Sequence, residues 1–390
     1  MINKLFLLKL LFIEVLLSQY SELGPYELEI IEEEITVSNN QNLEYTLFSP
    51  TNELSNIIII LSHGFSRTAS VLNDLARHFA SWGMKSVTMD LLHSSIIDNN
   101  PLNDALDLNI LVEHIENGEN TPVIFLGHSA GAMRSIIAAS QNSNTVAVFG
   151  LDLVDSQDPS NSNENFGAFY VTDLTIPVWG LSGEISQCNN SGNGLNVYMQ
   201  AINGNNIRIT EADHCDFEFP TNFFCTILCQ GTNTLFSNDE IRGIIINLST
   251  AFMIFHSEID LNSIQLWGPG SSYYDNLLNI GAIEHLVNVN IQKESNLMGE
   301  IFLKQNYPNP FNSSTKIHYE IPYASFVELT IYDILSKPVA VLVNNFEDAG
   351  YKIINWNGLD ERGQKLNSGM YFYKINTGYF KEVKKMIILK

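Results

Sequence analysis

The chain has 390 residues, more than one average domain, so two folded units are the starting expectation. Its 45% hydrophobic content supports full cores, and a net charge of −23 argues against nucleic acid and anionic membrane surfaces as partners. The charge is uneven: residues 301–390 hold 11 basic and 8 acidic residues, against 9 and 35 in residues 1–300.

At the N-terminus, Lys4 precedes a mostly apolar stretch, Leu5 to Leu17, and then polar Ser18-Gln19. Thirteen residues interrupted by Lys9 and Glu14 are too short and too polar for a comfortable membrane span. Residues 1–18 therefore read as a secretory signal peptide, and a soluble mature protein is expected. From Tyr26 onward, strand-like and helix-like runs alternate. The strands are expected at Leu28–Val37, Leu43–Phe48, Ile57–Leu61, Ser86–Met89, Val123–Leu126, Val146–Leu151, Ile176–Gly180 and Ile207–Ile209. Helices are expected at Ser70–Trp82, Leu102–Asn117, Ala130–Gln141 and Leu195–Ile202, with a further one at Asp239–Phe255. This order predicts an α/β unit over residues 22–270, a mostly parallel eight-stranded sheet with helices on both faces. Residues 271–302 are weakly patterned and read as a linker.

The composition then changes. Gln305 to Asn312 (QNYPNPFN) cannot be helix, because two prolines remove donors and hold the path extended. Short alternating strands follow at Lys316–Ile321, Val327–Tyr332, Val339–Val343, Tyr351–Trp356, Gly369–Ile375 and Lys384–Leu389. Turn signals such as Asn357-Gly358 separate them, so residues 303–390 read as a small all-β, Ig-like sandwich.

The densest chemical signal is Thr121 to Ala132, where the apolar run Val123-Ile124-Phe125-Leu126 feeds into Gly127-His128-Ser129-Ala130-Gly131. A serine on so sharp a strand-to-helix turn presents its hydroxyl above the sheet edge, with glycines two before and two after giving the chain room. This is the pattern of a nucleophile elbow, with Ser129 as nucleophile. A serine hydroxyl needs a base, and the base an acid to hold its tautomer. His214 follows the last strand in Ala212-Asp213-His214-Cys215-Asp216-Phe217 and is the expected base. For the acid, Asp152 at the carboxyl edge of the sixth strand is favoured, with Asp155 and Glu184 as alternatives; Asp155 more naturally closes the following loop. Ile57–Leu61 ends in Ser62-His63-Gly64-Phe65-Ser66, where the amide of Phe65 can face a substrate oxygen, the second donor being the amide of Ala130. His63 is read as structural.

Two other constellations carry less. Asp155 to Asn165 is rich in oxygen, but its spacing lacks a calcium-binding code and it reads as a solvated loop. Cys188, Cys215, Cys225 and Cys229 are an even set in an exported chain, so two disulfides are expected, with all three pairings open. No Cys-x-x-Cys pair is present, which speaks against zinc. Cys188 to Gly194 reads as a turn-rich loop tied down by one disulfide. Cys215 adjoins His214 without an elbow of its own, so cysteine is not the expected nucleophile.

Two family resemblances complete the reading. Gly127–Gly131, Leu151–Asp155 and Asp213–Phe217 resemble the chlorophyllase-type and related lipase-like α/β-hydrolases, over about residues 50–230. Ala132 and Leu153 stand where that group often has glycine and proline, a departure that bears on chlorophyll as substrate more than on ester chemistry. The resemblance implies the α/β-hydrolase fold and hydrolysis of a small-molecule or lipid carboxylic ester through an acyl-serine, without cofactor or metal. Amidase, thioesterase or polyester hydrolase activity is the alternative, as is a non-catalytic secreted binding protein on the same fold. The tail resembles the C-terminal sorting domain of type IX secretion. The matching residues are Gln305–Asn312, Val327–Asp333, Ala349-Gly350, Trp356-Asn357-Gly358, Ser368–Tyr373 and Lys385–Lys390, with Ser336 where that family usually has glycine. It implies the type IX machinery as a partner, and export through the periplasm and outer membrane to the cell surface or medium.

Overall fold

The computed structural model describes residues 19–116, 120–158, 161–229, 231, 233–268, 271–287, 302–321, 325–335, 337–347, 350–377 and 381–389. The expected signal peptide, residues 1–18, lies outside them, as do Ser336 and Ala349. The chain divides into two compact units. The first runs to Leu266 and takes in Asp275–Gln292; the second comprises Trp267–Tyr274 and the chain from Lys293 onward.

The first unit is built on β1 (Leu28–Thr36), β2 (Asn42–Pro50), β3 (Ile58–Ser62), β4 (Lys85–Met89), β5 (Val123–His128), β6 (Thr145–Leu151), β7 (Pro177–Ser182), β8 (Asn203–Ile209) and β9 (Ile283–Val287). They form one nine-stranded sheet in the order β1-β2-β4-β3-β5-β6-β7-β8-β9. Pairing from β4 across to β8 is parallel, whereas β1 with β2, β2 with β4 and β8 with β9 are antiparallel. The central strands β3 and β5 are buried at every position, which is why they read as unbroken apolar runs rather than alternating ones. Edge strand β1 exposes Glu29, Glu32, Glu33 and Glu34 or holds them near the surface, and such charge blunts pairing with another chain.

Helices cover both faces. Along each strand alternate residues point opposite ways, so Ile58, Ile60, Val123, Phe125 and Val148 pack on one face against α2 (Pro101–Glu116) and α3 (Ala130–Gln141). On the other face lie α1 (Asn73–Ser81) and the long Asn238–His256 helix. Asn73 of the former accepts a hydrogen bond from Thr88 of β4, and Phe252 of the latter packs on Phe149 and Trp179 at ring-centre distances of 4.8 and 5.5 Å. The long helix starts at a reciprocal cap, Ser237 with Glu240, which places its first turn one residue before the expected Asp239.

Residues 271–287 of the stretch expected as a linker, 271–302, are structured, whereas residues 288–301 lie outside the described residues. The structured part supplies the helix Ser272–Asn279 and the ninth strand, β9, at the sheet edge beside β8. With only Ile283 and Val287 fully buried, the strand is too short for its pattern to stand out. Strand β8 also begins four residues earlier than Ile207, at Asn203. Its polar start is tolerated because Asn205 accepts from His285 Nε2 at 2.8 Å and Asn206 donates to Gly180 O at 3.2 Å. The sheet therefore has nine strands, not eight.

From Phe302 onward the strands of the second unit form two antiparallel sheets. One sheet joins Phe302–Leu303, Thr315–Ile321 and Gly350–Trp356; the other orders Pro338–Glu347, Ser325–Tyr332, Gly369–Asn376 and Lys381–Ile388. Residues from both sheets, among them Ile317, Tyr319, Leu329, Tyr373 and Met386, share one buried core that also takes in Phe311 of the proline-rich opening. Among the described residues, no helix is long and apolar enough to cross a membrane.

Candidate active site

The candidate residues of the first unit all follow the carboxyl ends of the parallel strands β3, β5, β6, β7 and β8, but Asp155 and Glu184 make their contacts apart from the others. Ser129 follows β5 with φ 56° and ψ −128°, a conformation that a non-glycine residue holds only when its surroundings impose it. Those surroundings are hydrogen bonds: Ser129 N donates to Leu151 O at 2.9 Å, and Ser129 O accepts from Ala132 N and Val154 N at 3.1 and 3.2 Å. The flanking glycines are steric necessities. A Cβ on Gly127 would fall 2.3 Å from Ala132 N, and one on Gly131 would fall 2.2 Å from Ser62 O, so α3 can leave β5 steeply and pack on the end of β3.

Three side chains converge. His214 Nε2 lies 3.0 Å from Ser129 Oγ, and His214 Nδ1 lies 2.6 Å from Asp152 Oδ2. This network assigns the Nδ1–H tautomer, which donates to Asp152 and leaves Nε2 free to accept from the serine hydroxyl. All three side chains are buried, with Ser129 only 7% exposed. His214 opens the short helical turn His214–Phe217, capped reciprocally by Asp213 and Asp216. His128 packs its ring 4.6 Å from that of His214, and its Nε2 donates to His214 O at 3.1 Å. Complete burial, aided by the nearby His214, holds the His128 imidazole well below its usual titration range, so it stays neutral.

The alternative acids lie elsewhere. Asp155 accepts from the amides of Gly167, Ala168 and Ser156 at 2.7, 3.0 and 2.9 Å, closing the turn before the helix Phe166–Tyr170. The Glu184 carboxylate accepts from Glu211 N at 3.1 Å on an exposed surface.

The loop after β3 runs close beside Ser129: a Cβ on Gly64 would lie 3.0 Å from Ser129 Cβ. His63 braces this loop from below, donating Nδ1–H to Gly64 O and accepting from Leu91 N at Nε2, both at 2.8 Å. Burial pushes its imidazole down to about 4, consistent with a neutral structural role. Arg67, further along, pairs with the fully buried Glu218 at 2.6 Å and so joins the loop to the His214 segment. Among the described residues, neither the Phe65 nor the Ala130 amide donates to a protein acceptor. A second buried pair, Arg134 with Asp104 at 2.5 Å, fastens α3 to α2; Arg134 also donates to His93 O and Asn99.

The disulfides pair Cys188 with Cys229 and Cys215 with Cys225. Sulfurs of Cys215, Cys225 and Cys229 lie within 4.8 Å of one another, but each belongs to a disulfide and none is a thiolate that could hold a metal. Both bridges end on the helix Phe223–Cys229, which thereby ties the loop after β7 to the loop after β8.

Four residues of the site, Asn189, His128, Arg67 and Glu218, do not stand out in the sequence as functional. Only His128 carried a signal, as the residue before the elbow serine. The others act through contacts 37 to 151 positions away in the chain.

Residues 305–389 match the family model of a secretion system C-terminal sorting domain. No curated protein matches the chain. The all-β tail is thus a type IX secretion sorting domain. The protein that carries it is exported through the cell envelope and secreted or attached to the surface, with the type IX machinery as its partner.

Proposed function

We propose that the first unit is an α/β-hydrolase and that it hydrolyses carboxylic esters through an acyl-serine. The carrying observation is the relay in which His214 stands 3.0 Å from Ser129 Oγ and 2.6 Å from Asp152. The strand order, with β2 the odd antiparallel member before a parallel run, and the chain order Ser, Asp, His also support it. In this reading Ser129 Oγ attacks the ester carbonyl while His214 Nε2 takes its proton. Asp152 stabilises the imidazolium, and the amides of Phe65 and Ala130 receive the oxyanion. Collapse expels the alcohol, which takes its proton from His214. Water activated by His214 then cleaves the acyl-serine, releasing the acid and restoring the Ser129 hydroxyl.

Residues that act as one proton-transfer unit show strongly non-additive effects. Ser129→Ala is expected to remove roughly 10⁵–10⁶ of kcat on an activated ester, His214→Ala a similar amount, and the double variant little more. A fluorophosphonate probe is expected to label the wild type at Ser129 and neither variant. Near-wild-type turnover in folded Ser129→Ala would end this reading. A chain-length series of chromogenic esters, with an amide and a thioester beside it, separates an esterase from other acyl hydrolases.

A further inference from the structure

In the ordinary version of this fold the loop after the seventh strand is where an acid is expected, yet here it delivers an amide. Asn189 is 1% exposed, and its Nδ2 lies 3.3 Å from both carboxylate oxygens of Asp152 and 2.7 Å from Glu184 O. Its Oδ1 accepts from Ser186 N and Gly192 N at 2.9 and 3.1 Å. The side chain therefore uses all its hydrogen-bonding capacity, one half closing its own loop and the other reaching Asp152. Loop closure alone needs only Ser186, Glu184 and Gly192; the bond to Asp152 adds nothing to it.

The surrounding chain is shaped to present this amide. Asn190, Ser191 and Gly192 have φ of 49°, 58° and 70°, three successive left-handed residues of which only one is glycine. Such a run persists only where neighbouring contacts impose it. Cys188, the residue immediately before Asn189, is anchored to Cys229. Asp152 itself has φ 42°, and its other partners are Gly183 N at 3.0 Å and His214.

We infer that Asn189 is a positioning residue: its buried amide holds the Asp152 carboxylate turned toward His214 Nδ1 and shares its negative charge. This rests on the serine-hydrolase reading for its catalytic consequence, but not for its electrostatic one. A neutral amide steadies the carboxylate without adding a second charge, whereas a carboxylate in its place would put two anions beside one imidazole. The other titratable groups facing the pair are His128 from β5 and Tyr198 from the helix Leu195–Gln200, and neither contacts Asn189 through a hydrogen bond among the described residues.

The test uses the full chain with Asn189→Asp, nearly isosteric, and Asn189→Ala. The His214 imidazole is titrated by NMR, assigned against His214→Ala, and kcat and KM are measured across pH on a small activated ester. Asn189→Asp is expected to raise the His214 pKa by roughly one unit or more, moving the acid limb of kcat/KM to higher pH. Asn189→Ala is expected to lower kcat roughly 10- to 100-fold with KM little changed, and to raise the His214 pKa by less. Should Asn189→Asp not fold, the Asn189→Ala titration carries the reading. An unmoved His214 titration in a folded variant overturns the inference, even if the wild type is a proven hydrolase. A shifted titration in a protein that neither turns over esters nor reacts with fluorophosphonate upholds the placement of Asn189 and rejects the hydrolase reading instead.

Discussion

Asp152 is a carboxylate just beyond the end of β6, facing an imidazole 62 residues further along the chain, and its geometry makes it testable against its rival. Asp152→Asn keeps the shape of the side chain but would let the imidazole adopt the wrong tautomer. A folded variant should lose roughly 10⁴ in kcat. Glu184→Gln, whose carboxylate accepts only from Glu211 N among the described residues, should stay within a few-fold of wild type. Steady-state kinetics on both, with the unfolding midpoint as control, would show a reversed result if the acid belongs after β7. The buried Arg134–Asp104 pair is a different matter: it lies under the elbow helix and touches none of the three relay residues.

At the scale of elements, the helix Phe223–Cys229 is a small hub. Cys188–Cys229 closes a separation of 41 residues and Cys215–Cys225 one of 10. Chain-entropy arguments make the longer bridge worth about 4 kcal/mol and the shorter about 3 kcal/mol. Replacing Cys188 and Cys229 together by serine should therefore lower stability by about that larger amount in denaturant unfolding. Because the first bridge adjoins Asn189, the same variant should show faster amide exchange over residues 183–194 than over α3. Uniform loss of protection across the sheet would mean that the bridge holds the whole unit and not this loop.

For the molecule as a whole, the sorting domain contributes no side chain to the Ser129–His214–Asp152 relay, each member of which lies in the first unit. A chain ending near Met298 should thus stay folded with unchanged specific activity, while cells producing it should fail to export it past the outer membrane. Lower specific activity in the purified short chain would assign the β domain a part in the site. Acid should also act on the two units differently. Burial pushes His63 and His78 down to about 4 and His256 to about 3, and holds His128 well below its usual range. In the unfolded chain each imidazole titrates near 6.5, so below that pH the unfolded state binds more protons and stability falls. Their contribution is complete above about pH 6.5 and declines as pH drops through it, by roughly 2–3 kcal/mol for the four between pH 7 and 6. Asp216, pushed up to about 6 by burial, acts in the opposite sense and chiefly below that pH, and burial also raises Asp104, Asp107 and Asp155, which act in the same sense as Asp216. All of these groups belong to the first unit, so calorimetry at pH 7 and 6 should show its transition moving while that of the second unit stays. Equal shifts in both would show that the histidines are not the cause.

Local pattern determined much of this molecule. Short β-branched runs buried on both faces and capped helices such as Asn238–His256 follow from patterns within a few residues, and the Gly127–Gly131 turn is legible in its glycine spacing although contacts with Leu151, Val154 and Ser62 hold it; their boundaries in the structure fall close to the sequence expectation. The motifs of residues 305–389 likewise sit in neighbouring strands of one small core. Only the tertiary structure decided the rest. Strand β9 exists because β8 offers it an edge, not because five residues of weak pattern demand it. Cysteine spacing left three pairings open, since which sulfurs meet depends on how the loops after β7 and β8 return to one helix. Asn189, Arg67 and Glu218 were invisible for the same reason: an asparagine in a polar loop looks solvated until folding buries it against a carboxylate 37 residues away. Hydrogen bonds between distant loops follow from where the backbone carries them, and no local composition records that path.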